Sequence, residues 1–312
     1  MSVFRVEFLP AGMPGRGREP AVGQPGTPVG PGGDPDGIAH LVMDDPARRV
    51  NVLDEQALGD LEAALGLLEE RPDLGGLVVR SGKPGSFMAG DVEALATLTD
   101  RAQALALVRR SQAACARLAA LPFPTVAAID GICLGAGTEL ALACSSRVAA
   151  QESRTQIGLP EVLLGTIPGS GGTTRLSGLV GLSTALDLIL TGRTLDARSA
   201  ERAGLVERAV PGVWLIEHAH RRLAELAASG RGRGPATAGA QRRRRDRWRP
   251  RGLRSWFMNA TPFGRGLAFA RARAMTKERA GGHYPAPDAA LSILHHGFAQ
   301  PIEASCGSRP SG

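Results

Sequence analysis

Lysine is almost missing from this 312-residue chain. Lys83 and Lys277 are its two lysines, so arginine supplies nearly all of the positive charge. Cysteine is sparse as well. Cys115, Cys133, Cys144 and Cys306 show neither metal-ligand nor redox spacing, which points to reduced thiols in a cytoplasmic protein. No run of about 18 apolar residues occurs, which argues against a membrane-spanning helix. The N-terminal stretch Met1–Phe8 alternates like a strand and lacks the form of a signal peptide.

What is present is an ordinary globular composition, 43% hydrophobic, with a formal net charge of +7. That charge is a weak argument for a nucleic-acid partner because of where it sits. Much of the excess falls in Gln241–Arg251, read here as a solvated linker with a polyanion-binding patch as the alternative, and a nucleic-acid partner is not expected.

The hydrophobic pattern predicts alternating strands and helices. Phe4, Val6 and Phe8 mark a first strand, residues 10–37 an irregular Gly/Pro loop, and Ile38–Met43 a returning strand. Leu58, Leu61, Leu65 and Leu68 share one helical face, with Asp54 placed to cap that helix. A buried strand at Gly76–Arg80 leads into a loop over Ser81–Gly90. A long helix over Arg101–Ala120, a strand at Thr125–Ile129 and a short strand at Val148–Ala150 follow. This rhythm predicts an α/β domain with largely parallel pairing and right-handed crossovers. The expected division is a core over 1–210, a helical region over 211–300 with a basic linker at 230–254, and a disordered tail at 301–312. Within the helical region, helices are expected at Trp214–Ala228, Arg265–Arg279 and Ala286–Ala299.

Two carboxylates draw attention within the core. In Gly131–Glu139 a strand gives way to a glycine turn, and a helix is expected to begin near Ala136. The unpaired N–H groups at such a start, with the helix dipole behind them, suit an anion or an oxygen acquiring negative charge. Small side chains at Gly135, Ala136 and Gly137 would let a substrate reach the backbone. Glu139 lies in the first turn; a glutamate merely favourable to the dipole is the plainer alternative. In Gly158–Glu161, Pro160 fixes the backbone before Glu161, and Val162–Leu164 offers no charge partner. Desolvation should raise the affinity of that carboxyl for its proton, suiting it to acid–base work. The alternative is a turn glutamate open to water. Residues 169–172, Gly-Ser-Gly-Gly, lack the lysine of a phosphate-binding loop and could simply start a helix.

The segments Ala128–Cys144 and Gly158–Leu176, with Leu186–Arg193, Ala203–Val206, Pro262–Arg265 and His283–Ala286, resemble the enoyl-CoA hydratase/isomerase (crotonase) family. The branch they are most similar to is the hydratase part of the fatty acid oxidation complex α-subunit. The resemblance spans roughly Ile38–Gln300. It implies a crotonase-like spiral of ββα units with a helical C-terminal region, and a fatty acyl-CoA thioester as substrate. It implies an oxyanion hole with the Ala136 N–H as one donor, Glu139 helping to activate water, and Glu161 as acid/base at the α-carbon. Ala89, Gly90, Gly135, Gly137, Pro168 and Gly169 would line the substrate site, with neither metal nor cofactor. The expected activity is 2-enoyl-CoA hydration in fatty acid β-oxidation, a lyase reaction, with Δ3-Δ2 isomerisation or an inactive remnant as alternatives. Partners implied are further copies of the chain, in trimer fashion, or a thiolase.

Two departures stand out. The family's Phe-x-Ala-Gly-Ala-Asp is here Phe87-Met-Ala-Gly-Asp91, one residue short. The second donor would be Asp91 N–H, or Gly90 N–H if the gap is absorbed earlier. The multifunctional relatives also carry an NAD-binding dehydrogenase domain. No Gly-x-Gly-x-x-Gly occurs here, so dehydrogenase activity is not expected, from either a stand-alone hydratase or a truncated product.

Overall fold

The computed structural model of the chain describes residues 2–9, 37–91, 100–230, 257, 261–280 and 286–297. The expected loop over most of 10–37, the basic linker beyond 230, Cys306 and the 301–312 tail lie outside the described residues.

Four successive units each place one strand in each of two sheets. The first sheet joins β1 (Phe4–Leu9), β2 (Ile38–Met43), β4 (Gly76–Ser81), β6 (Thr125–Ile129), β8 (Ser146–Ala150) and β10 (Arg208–Val210), in that spatial order. The second joins β3 (Val52–Leu53), β5 (Ser86–Gly90), β7 (Ile132–Leu134) and β9 (Gln156–Gly158). Among the described residues, the β1–β2 pair and the isolated Ile157–Leu195 bridge are antiparallel and the other strand ladders are parallel. Helices close the units: α1 (Glu55–Glu69), α2 (Arg101–Ala120), α3 (Ala136–Ala143) and, after a single 3₁₀ turn at Glu161–Leu164, α4 (Gly172–Val180). The chain is a spiral of ββα units.

The first sheet is apolar on both faces, as a parallel sheet covered on both sides must be. Leu77, Val79, Ala127, Ile129 and Ala149 point into the main core with α1 and α2. Their alternating neighbours Val78, Val126, Ala128, Val148 and Ala150 meet Leu215, Ala219, Leu223 and Leu226 of α7 (Leu215–Ala228). Between α4 and α7 run α5 (Leu182–Thr191) and α6 (Ala197–Ala203), and α8 (Pro262–Ala280) and α9 (Ala286–Gly297) pack on α4 and α5.

Several expectations need correction. The loop over Ser81–Gly90 contains strand β5, and the glycine turn at Gly131–Gly135 contains β7. The helix expected from Trp214 starts at Leu215, after a 3₁₀ turn at Gly212–Trp214. Asp54 caps α1 as expected, accepting from Ala57 N–H at 2.8 Å.

Candidate active site

The two carboxylate-bearing segments are tied together by their backbones. Gly135 N–H donates to Gly158 O at 3.0 Å. Thr138 Oγ1 lies 2.6 Å from Cys133 O and 2.8 Å from Gly158 O, stapling the ends of β7 and β9. α3 therefore begins where β7 meets β9, and Glu139 and Glu161 share one neighbourhood.

Three glycines let the elements approach. At Gly137 a Cβ would lie 2.1 Å from Met88 O, so α3 touches the backbone of β5 there. Gly135 has φ +56°, a conformation that suits glycine, and a Cβ on it would meet Glu161 Oε1 at 3.3 Å. A Cβ on Gly172 would meet the Glu139 side chain at 2.9 Å.

Glu139 is buried, and its Oε1 accepts from Ser170 N–H and Gly172 N–H, both at 2.7 Å. Those amides stand at the start of α4, where the helix dipole favours a negative charge. Burial pushes the Glu139 carboxyl above its ordinary range, opposed by the two amides and by the nearby Arg175 charge. Glu161 begins the 3₁₀ turn after Pro160, and its Oε2 is buried with no partner among the described residues. Burial first, and the charge of Glu139 second, push the Glu161 carboxyl up to about 8. Two carboxylates confined together cannot both ionise cheaply. The two amides favour Glu139 as the ionised member of the pair, and Glu161 has no such donor among the described residues.

Backbone amides complete the site. Ala89 N–H donates to Asn51 O at 2.9 Å, and Leu53 pairs with Gly90 in the parallel β3–β5 ladder. Successive amides along a strand face opposite edges. The Gly90 N–H therefore turns away from β3, toward the β7 side of the sheet, and Asp91 follows the end of β5. A Cβ on Gly90 would lie 3.7 Å from Ala136 N, and one on Gly135 would lie 3.9 Å from Gly90 N. The Asp91 carboxylate lies 3.6 Å from Arg48 Nη1. Pro168 is buried, and with Gly169 it leads into the Ser170–Gly172 turn.

The residues that hold Glu139 lie in the Gly169–Gly172 stretch, which the sequence offered only as a possible helix start. Ser170 and Gly172 act through main-chain N–H groups, which carry no side-chain signature. Ser111 and Gln112, on α2, brace the same turn: Ser111 Oγ bonds Ser170 Oγ, and Gln112 Nε2 donates to Gly169 O at 2.7 Å. The buried Cys133 lies below the turn, and burial pushes its thiol up to about 12, so it is no nucleophile at neutral pH. Among the described residues, no group of three or more His, Cys, Asp and Glu could hold a metal ion, and no helix is long and apolar enough to cross a membrane.

The ββα spiral, with a strand–turn–helix carrying Glu139 beside the Glu161 turn, places the chain among crotonase-like folds. A family model for enoyl-CoA hydratase/isomerase matches residues 33–239. Among solved structures, an enoyl-CoA hydratase from Bacillus anthracis is 34% identical, with 61% of this chain and 73% of that one covered and a TM-score of 0.57. DspI of Pseudomonas aeruginosa is 32% identical, with 68% and 87% covered and a TM-score of 0.59. The chain belongs to the enoyl-CoA hydratase/isomerase family.

Proposed function

We propose that the chain is a 2-enoyl-CoA hydratase, adding water to the trans-2 double bond of a fatty acyl-CoA to give 3-hydroxyacyl-CoA, a β-oxidation step. The observation that carries this reading is the unequal pair of carboxylates: the buried Glu139 cradled by two amides, and the partly buried Glu161 with a buried oxygen unpartnered among the described residues. A hydratase needs one ionised and one protonated group, and the two environments separate them in that sense.

In this scheme the thioester oxygen lies between Ala136 N–H and Gly90 N–H. Gly90, whose N would lie 3.9 Å from a Cβ on Gly135, is taken as the second donor in preference to Asp91. Polarising the carbonyl makes the β-carbon electrophilic, and the enolate oxygen is stabilised where its charge develops. Glu139 takes a proton from the attacking water as its oxygen bonds to the β-carbon. Glu161 gives its proton to the α-carbon. One proton must then return from Glu139 to Glu161, directly or through water, to restore the starting state. The acyl-CoA itself is the reactant, and the scheme draws on no further cofactor.

The test is hydration of crotonyl-, decenoyl- and hexadecenoyl-CoA, followed by loss of the conjugated enoyl absorbance. Either Glu139→Gln or Glu161→Gln should lower kcat by about 10²–10⁴-fold. Glu139→Gln turnover within a few-fold of the unaltered chain would sink the two-carboxylate scheme. The result would then favour Δ3-Δ2 isomerisation, for which Glu161 alone suffices.

A further inference from the structure

Arg175 occupies an unusual position for a cation. It lies in the first turns of α4, is only 9% exposed, and forms no ion pair among the described residues. Its Nη1 donates to Ser170 O at 2.6 Å, while its buried Nε has no partner among the described residues. A buried guanidinium so incompletely satisfied costs stability. The same α4 start that carries this cost supplies both amides that hold Glu139.

We infer that Arg175 is a positioning residue for the proposed reaction, acting through the Ser170–Gly172 turn and through its charge on Glu139. This inference rests on the hydratase reading. Ser170 is held on both sides of its Cα: its N–H meets Glu139 Oε1, and its carbonyl oxygen accepts from Arg175 Nη1. Ser111 and Gln112 hold the neighbouring groups from the α2 side. Moving the guanidinium would release the Ser170 carbonyl and free the backbone dihedrals about the Ser170 Cα, loosening the hold of its N–H on Glu139. The second effect needs no contact. A positive charge near a buried carboxylate favours its ionised form, which is the form in which Glu139 can accept a proton from water. Arg175 thereby helps decide which glutamate carries the shared proton.

The experiment uses the full chain with Arg175→Met and Arg175→Lys, and two independent readouts. The first is the titration of the Glu139 carboxyl by ¹³C NMR of glutamate-labelled protein, assigned by its loss in Glu139→Gln. Arg175→Met should raise the Glu139 midpoint, and Arg175→Lys, which keeps the charge, should leave it near that of the unaltered chain. The second is crotonyl-CoA hydration. Because misplacing a reacting group by ~1 Å can cost about 10²-fold, Arg175→Met should lose about that much in kcat with KM within a few-fold. The acid limb of its pH–kcat profile should move upward, and Arg175→Lys should restore that limb while recovering only part of the rate. An unmoved Glu139 midpoint in Arg175→Met, or lower turnover with an unmoved acid limb, overturns the inference. Should Arg175→Met not fold, a displaced Glu139 midpoint in Arg175→Lys, or its full turnover, overturns it equally. Failure of the unaltered chain to hydrate any enoyl-CoA would overturn the hydratase reading instead, leaving the carboxyl titration to judge the Arg175–Glu139 link.

Discussion

Glu139 and Glu161 have the same side chain and opposite surroundings, and the difference should be visible in a pH profile. In the proposed reaction Glu161 must carry a proton and Glu139 must not. Raising the pH through about 8 removes the Glu161 proton, so no acid remains for the α-carbon and kcat should fall on the alkaline side. Lowering the pH protonates Glu139 and removes the acceptor for the water proton, giving an acid limb. Hydration and dehydration both draw on the singly protonated pair, so the two directions should share the same limbs. Measuring kcat against pH for crotonyl-CoA and for 3-hydroxybutyryl-CoA checks this. A basic limb that differs between the two directions would count against the shared-proton account.

At the scale of elements, the contact between α3 and β5 sets the separation of the two proposed oxyanion donors. Gly137→Ala would place a Cβ 2.1 Å from Met88 O, so helix and strand must move apart. Overpacking of this kind costs roughly 1–3 kcal/mol, and it separates Ala136 N from Gly90 N at the same time. Turnover should fall about 10²-fold and the melting temperature should drop. Gly90→Ala meets only ordinary contact at 3.7 Å and should melt close to the unaltered chain. Thermal melts and kcat of both variants would separate the two effects.

Five strands of the first sheet and the long helices were legible in the sequence, the helices because their signals are long, whereas the three-residue β10 was not. Leu58, Leu61, Leu65 and Leu68 repeat over several turns, and the Asp54 cap sits at their start. The second sheet was not legible. β3, β7 and β9 have 2, 3 and 3 residues, too short for an alternating pattern, and β5 lies behind the Lys83-Pro-Gly turn that reads as loop. Similarly, Glu139 and Glu161 could be found as side chains. Their amide partners and the Ser111–Gln112 brace could not, since main-chain donors and a helix distant in sequence leave no local pattern.

For the molecule as a whole, stability should depend on a histidine pair, one member buried and the other partly buried, that joins the sheet to its outer helix. His40 on β2 and His220 on α7 face each other with their Nε2 atoms 2.8 Å apart. Arg80 Nε donates to His40 Nδ1 at 3.0 Å, and Arg80 Nη2 donates to Glu7. An arginine can only donate, so His40 carries its proton on Nε2 and gives it to His220. Burial pushes His40 down to about 3, with the His220 and Arg80 charges adding to the effect, and burial also lowers His220. Both groups bind protons more readily in the unfolded chain, whose histidines titrate near 6.5. Their contribution to stability is therefore present above about pH 6.5 and is lost as the pH falls below it, at about 1.4 kcal/mol per pH unit for each proton taken up on unfolding. The loss is global because α7 covers the apolar outer face of the first sheet. His40→Gln can accept from Arg80 and donate to His220 without titrating. Denaturant unfolding between pH 8 and pH 5 should show the unaltered chain losing stability more steeply than His40→Gln. Equal slopes would mean that acid weakens the fold elsewhere than at this pair.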